Sequence, residues 1–216
     1  MKKFLFLILF FPLVMTAQES EVGNWWSFIG NKKLNSKFDW HHELQHRNYN
    51  FIGDLEQLLL RTGIGYNLSD QNNNILVGYG FIRSEPYLEG LNEKTRIDEH
   101  RIYQQFIHKQ ALIRFALQHR IRFEQRFIES DFKIRFRYAL AASIPLNAGG
   151  SPSRFNLSTY NEIFLNTSDN AFDRNRIYAG IGYTFSAHLR SEVGLMNQST
   201  SSTCRNQFVI STFLGF

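Results

Sequence analysis

The sequence predicts an all-β protein: a transmembrane, antiparallel up-and-down β-barrel of about ten strands, with twelve as the alternative count. Three features point there: a patterned carboxy-terminal strand, an apolar leader, and long stretches of two-residue alternation. In Asn206–Phe216, the side chains of Phe208, Ile210, Leu214 and Phe216 share one parity with Thr212, while Ser211 and Gly215 take the other. A strand with one greasy face that stops on an aromatic residue suits the last strand of a Gram-negative outer-membrane barrel. Phe208, Ile210, Leu214 and Phe216 are the expected assembly signal, read by the barrel-insertion machinery.

The amino-terminal end agrees. Met1-Lys2-Lys3 is a short positive region, Phe4–Val14 is apolar apart from Pro12, and Met15-Thr16-Ala17 offers a small residue before polar Gln18. This is the pattern of a cleaved secretory signal peptide, too short to span a bilayer as a helix. The expected organisation is therefore residues 1–17 as signal peptide and 18–216 as one barrel domain in the cell outer membrane. Without Lys2 and Lys3, the 24 basic residues fall to 22 against 19 acidic ones, a net charge of +3. Basic and acidic residues interleave, whereas nucleic-acid binding needs a concentrated basic patch, so no nucleic-acid partner is expected. The single Cys204 excludes an intramolecular disulfide.

Aromatic residues make up 15% of the chain at a mean hydropathy of −0.30, as expected when only half of each strand faces lipid. Taken in order, strands are expected at Ser36–Arg47, Leu55–Leu68, Asn74–Ser84, Arg96–Lys109, Ala111–Phe127, Phe132–Leu146, Phe155–Asn166, Asn175–Phe185, Ala187–Gln198 and Asn206–Phe216. In Ala111–Phe127, Ile113, Phe115, Leu117, His119, Ile121, Phe123, Gln125 and Phe127 form one face, and Arg114, Arg120, Arg122, Glu124 and Arg126 stand on the other. A helix would spread those arginines around its axis, so the strand reading prevails. These strands also exceed the five or six residues usual in globular sheets. Tight turns are expected at His108–Ala111 and Ser186-Ala187, and longer outer loops at Ser84–Thr95, Asn166–Arg174 and Ser199–Asn206. Pro86, Pro145 and Pro152 fall at or beyond strand ends, where a missing N–H is tolerated. With Phe216 in the periplasm, ten strands close correctly. Asn24–Gly30, with Trp25, Trp26 and Phe28, is left as an extra piece: a rim or lumen segment, or one partner of an unsplit pair.

Placing the apolar parity in lipid sends a charged face into the lumen. It contains Lys37, Asp39, His41, Glu43, Gln45 and Arg47 from one strand, then Arg61, Glu99, Arg101, Arg114, Arg120, Arg122, Glu124, Arg126, Arg135, Arg137, Glu162, Arg176, Arg190 and Glu192. The interior of so small a barrel is nearly filled by side chains. Buried charges there must pair, which predicts a salt-bridged plug or, if space remains, a narrow conduit. The glycine pairs Gly63/Gly65, Gly78/Gly80 and Gly180/Gly182 lack the helix and phosphate-cradling turn of a nucleotide site. In strands they make room on one face and let the sheet bend.

Catalysis would draw on His41, His42 and Glu43, on Glu99-His100-Arg101, or on His119 near Glu124. Adjacent residues point to opposite faces of a strand, and no serine stands at an obvious pairing distance from a histidine. No catalytic set, metal site or cofactor is therefore expected. A lipid-modifying enzyme, and a binding module using the outer loops Ser84–Thr95 and Ser199–Asn206, remain the alternatives to a non-enzymatic barrel. The expected partners are membrane lipid and the insertion machinery, with a monomeric barrel.

The order of these pieces resembles the domain-of-unknown-function 2490 family of outer-membrane barrels. The resemblance rests on Trp25-Trp26-Ser27-Phe28, Glu99-His100-Arg101-Ile102-Tyr103-Gln104-Gln105, the ladder from His119 to Phe127, Arg135-Phe136-Arg137-Tyr138, Asn161-Glu162-Ile163-Phe164 and Asn175–Tyr183. It covers nearly all of the chain beyond the leader. The Arg-x-Arg-x-Glu-x-Arg run from Arg120 to Arg126 is its most specific element. The resemblance implies a barrel in the outer membrane and transfers no catalytic residue.

Overall fold

The computed structural model describes residues 22–68, 72–146, 153–168 and 170–215. The expected leader Met1–Ala17, Pro152 and the terminal Phe216 lie outside the described residues. Eleven strands follow in chain order: β1 (Gly23–Lys33), β2 (Phe38–Asn48), β3 (Leu55–Asn67), β4 (Asn73–Ser84), β5 (Ile97–Leu112), β6 (Phe115–Ile128), β7 (Asp131–Pro145), β8 (Phe155–Asn166), β9 (Phe172–Ser186), β10 (Leu189–Ser199) and β11 (Cys204–Gly215). Each pairs antiparallel with its neighbours in sequence, and β1 closes the barrel against β11.

The closing pair is parallel, with Trp25 opposite Val209 and Ser27 opposite Ser211. An odd number of up-and-down strands leaves the first and last pointing the same way, so this geometry follows from the count. Asn24–Gly30 is thus neither a rim piece nor a lumen insert. It forms the body of β1 and supplies the ladder that would otherwise be missing between the edges of β2 and β11. Its side chains alternate as the strand requires: Trp25 is buried, whereas Trp26 and Phe28 are exposed on the outer surface.

Two rims result. The upper rim holds the start of β1 and the connections β2–β3, β4–β5, β6–β7, β8–β9 and β10–β11. The lower rim holds the remaining connections and the end of β11. The tight turn expected at His108–Ala111 falls later, at Ile113-Arg114, because the β5–β6 ladder continues to the Leu112–Phe115 pair. Ile113 there has φ 55°, and Glu129 in the two-residue β6–β7 turn has φ 50°. Positive φ at the first position of a two-residue hairpin turn matches the right-handed twist of its strands, although glycine is the usual occupant. Arg114 sits in this turn, and Lys37 in the β1–β2 connection; both are exposed rather than lumenal.

The barrel is polar within and apolar without. Leu60, Ile64, Val77, Ile102, Ile121, Phe136, Ile177 and Val193 lie exposed on the outer wall, while Arg122, Glu124, Arg135, Glu162 and Gln207 are buried. A water-soluble sandwich has the reverse arrangement.

Candidate functional site

Strict alternation delivers the charged side chains to the lumen. In β6, Arg120, Arg122, Glu124 and Arg126 point inward, and β7 and β8 add Arg135, Arg137 and Glu162. Glu43 and Arg47 come from β2, Arg61 from β3, Glu99 and Arg101 from β5, Arg176 from β9, and Arg190 and Glu192 from β10. Cross-strand register sets their heights: Glu124 stands opposite Arg135, and Arg122 opposite Arg137.

Glu124 has no solvent exposure and is the hub. Its Oε2 accepts from Arg135 Nε at 3.0 Å and Nη2 at 2.6 Å, and its Oε1 accepts from Arg137 Nη1 at 2.7 Å. Arg122 and Arg101 stand 3.7 and 3.9 Å from it. Arg137 also donates to Glu162, which accepts from Arg120 at 2.7 Å. Around this centre, Glu99 accepts from both Arg101 and Arg126, and Glu43 accepts from Arg61. Asp173 pairs with Arg135 and Arg174. Lower in the barrel, Glu192 accepts from Arg190 and from Ser158.

Among the described residues, the network is not balanced. Arg47, Arg61, Arg101, Arg120, Arg122, Arg126, Arg135, Arg137, Arg174, Arg176 and Arg190 stand with Glu43, Glu99, Glu124, Glu162, Asp173 and Glu192, eleven guanidiniums to six carboxylates. Three of these arginines are oriented by amide oxygens instead: Arg47 by Gln45 and Gln57, Arg122 by Gln105, and Arg176 by Gln198. An amide accepts the hydrogen bond without cancelling the charge.

Aromatic rings fill what the charges leave. Phe164 is buried beneath Arg137 and Arg176, whose guanidinium carbons lie 4.4 and 4.6 Å from its ring centre. Arg47 and Arg176 lie 3.8 and 4.8 Å from the centre of Trp25, and Arg122 stands 4.6 Å from that of Tyr103. Such contacts favour a desolvated cation over a ring face. The inward glycines make the rings fit. A Cβ on Gly78 would meet Tyr103 Cζ at 2.4 Å, and one on Gly180 would meet Tyr178 Oη at 2.2 Å. Toward the upper rim, within the network itself, a cavity of about 290 Å³ opens among Arg47, Arg61, Glu99, Arg126 and Arg176.

Phe164, Trp25, Gln57, Gln105 and Gln198 carry no charge, so charge patterning does not single them out. Their parity alone marked them as inward, and amides or aromatics are not salient in a search for charges. Their strand neighbours Glu162, Ser27, Leu59, Arg101 and Glu192 share the same inward face. The histidines disperse. His41 lies inside, its Nδ1 2.9 Å from Asn31 Oδ1 and its Nε2 3.9 Å from Glu43. His42 packs outside near Trp40, His100 lies outside against the Tyr79 hydroxyl, and His119 shares a 2.9 Å hydrogen bond with Tyr138 on the outer wall. The partners of these four are therefore an amide, a carboxylate, phenols and an indole rather than a serine nucleophile. His119 and Gln125, polar residues on the apolar face, are explained by cross-strand pairing with Tyr138 and Gln104. Among the described residues, no group of three His, Cys, Asp or Glu side chains is placed to hold a metal ion.

On the upper rim, Lys94 from the β4–β5 loop pairs with Asp54 and stands over the rings of Tyr49 and Tyr87. Burial and the Glu56 carboxylate push the Tyr49 phenol above its ordinary range. Cys204 is exposed on the same rim, within hydrogen-bond reach of Asn197.

A family model described as "Protein of unknown function (DUF2490)" matches residues 22–209, which includes every lumenal charge named above. The chain is also 26% identical over 168 residues to an uncharacterized protein of Methylorubrum extorquens, covering 73% of this chain and 69% of that one.

Proposed function

The chain belongs to the DUF2490 family, and from its inside-out barrel we propose a non-enzymatic outer-membrane protein whose Arg/Glu-rich lumen is closed by a structural plug. The observation that carries the reading is Glu124, wholly buried at the hub of the lumen with Arg135 and Arg137 hydrogen-bonded to it and two further arginines within 4 Å. In this reading, charges so confined rigidify the wall and close the lumen to a continuous water path. The apolar outer wall suits the acyl region of a bilayer, and tilted strands need only about ten residues to cross it. In this reading the leader 1–17 directs export, and Phe208, Ile210, Leu214 and Phe216 serve the insertion machinery. The upper rim then faces outward and the lower rim the periplasm.

Planar-bilayer recording on the purified, refolded protein tests the closed lumen, with heat-modifiable gel migration reporting that the barrel is folded. A folded, electrically silent barrel is the expected result. Steady ion-selective steps would replace the plug with a narrow conduit, for which the same arginines would be the selectivity filter.

A further inference from the structure

We propose that the upper half of the lumen is a blind binding site for a small, multiply charged oxyanion, with Arg47 and Arg176 as its anchoring residues. The proposal rests on the closed-lumen reading only for the word blind. The binding site itself stands on three observations.

First, the cationic excess is concentrated here. The cavity wall includes eight arginines, among them Arg47, Arg174 and Arg176, and a single carboxylate, Glu99. Six of the eight have a carboxylate partner; Arg47 and Arg176 have none among the described residues. Both are only 6% exposed. Glu56 and Glu162 act on them only from beyond ion-pairing distance, and a buried charge without a close counter-charge is costly unless something else supplies the opposite sign.

Second, both guanidiniums are held in place without being neutralised. Arg47 donates through Nη1 to Gln57 and through Nε and Nη2 to Gln45, while Arg176 donates through Nε to Gln198. A guanidinium carries five N–H donors, so Arg47 keeps two unspent and Arg176 four. Trp25 lies against both, and its indole nitrogen is buried without a partner among the described residues. Oriented forks with unspent donors match the paired oxygens of phosphate or carboxylate groups.

Third, the space fits. About 290 Å³ is near the lower end of small-molecule sites. It suits a compact polyanion and is too small for a whole lipid. Phosphate and carboxylate groups share the recognition chemistry, and the experiment separates them.

Isothermal titration of the folded protein in detergent micelles, at constant ionic strength, would use pyrophosphate in one arm and citrate in the other. Saturable one-to-one binding in at least one arm is expected, and the arm names the group. Arg47→Gln and Arg176→Gln should each weaken it by about tenfold or more, as loss of a charged hydrogen bond implies. Heat-modifiable migration checks that the variants fold. If the glutamine variants do not, Arg47→Lys and Arg176→Lys keep the charge and lose the planar fork, and are also expected to weaken binding. No saturable binding in either arm, or affinity unchanged in the folded variants, overturns the proposal. A silent barrel without binding removes the anion site alone; a conducting barrel that still binds removes the closed lumen alone.

Discussion

Arg137 joins two buried carboxylates, donating from Nη1 to Glu124 at 2.7 Å and from Nη2 to Glu162 at 2.7 Å, and so ties β6, β7 and β8 together from inside the lumen. Removing one member of a buried ion pair leaves its partner desolvated and uncompensated, which costs about 3–5 kcal/mol. Glu124→Gln keeps the shape and removes the charge that Arg135 and Arg137 share. A destabilisation of about that size is expected, read as a lower urea midpoint for loss of the folded gel band. Glu162→Gln should act in the same direction. Because both carboxylates use Arg137, the double variant should depart from additivity.

Gly78 and Gly80 occupy one Gly-x-Gly pair on one strand face, yet they should respond differently to a methyl group. A Cβ at Gly78 meets Tyr103 Cζ at 2.4 Å and the Thr62 carbonyl oxygen at 2.6 Å, whereas at Gly80 the nearest atom is Arg61 Cγ at 3.3 Å. Overpacking against a ring and a backbone typically costs about 1–3 kcal/mol. Gly80→Ala needs only a small adjustment of a flexible side chain and reduces the freedom of the unfolded chain, so its net effect should stay within about 1 kcal/mol. Parallel urea titrations of Gly78→Ala and Gly80→Ala check the contrast; equal stabilities would mean that the ring does not pack there.

Much of the wall was legible because strand geometry leaves few choices. Once one face of β6 is assigned to lipid, Arg120, Arg122, Glu124 and Arg126 must share the other. The strand count was less legible. The Trp25-Trp26-Ser27-Phe28 run looks like a spare piece when barrels are expected to be even-numbered, and only the pairing of Ser27 with Ser211 shows that it closes the wall in parallel. Nor does parity say what touches what. Arg47, Arg122 and Arg176 share the inward parity with the carboxylates, yet glutamine oxygens orient them. That choice depends on height and on the third dimension of the lumen. The turn after β5 was misplaced because an exposed isoleucine at positive φ is a rare turn residue, so Ile113 gave no glycine or asparagine cue.

The parallel seam makes its own prediction. Ser27 and Ser211 are paired across β1 and β11, and a disulfide needs Cα atoms roughly 4.4–6.8 Å apart. In a Cys204→Ser background, Ser27→Cys with Ser211→Cys should cross-link the folded barrel under mild oxidation. The product would migrate faster than the reduced form when unfolded on a non-reducing gel. Ser27→Cys with Ser143→Cys is the negative control, since Ser143 pairs with Ala116 and Ser158 elsewhere in the wall. If β2 instead closed directly on β11, the first pair would stay reduced.

The upper-rim loops should be held down by one lysine. Lys94 reaches from the β4–β5 loop to the Asp54 carboxylate and the Leu55 carbonyl, with the Tyr49 and Tyr87 rings beside its ammonium group. The Tyr87 hydroxyl donates to the same Asp54 at 2.9 Å. Lys94→Met keeps most of the apolar stem and removes the charge-assisted bonds, each worth about 1.5–3 kcal/mol. Because this loop lies outside the strand ladder, local opening should rise without loss of the barrel. Chymotrypsin acting at Tyr87 and the neighbouring exposed Leu88 and Leu91 should therefore cleave the variant about tenfold faster, in proportion to the open population. The urea midpoint of the barrel should stay close to that of the parent protein. Equal cleavage rates would mean that the loop is held by its backbone bonds alone, such as Leu88 N–H to the Glu93 carbonyl and Thr95 N–H to the Pro86 carbonyl.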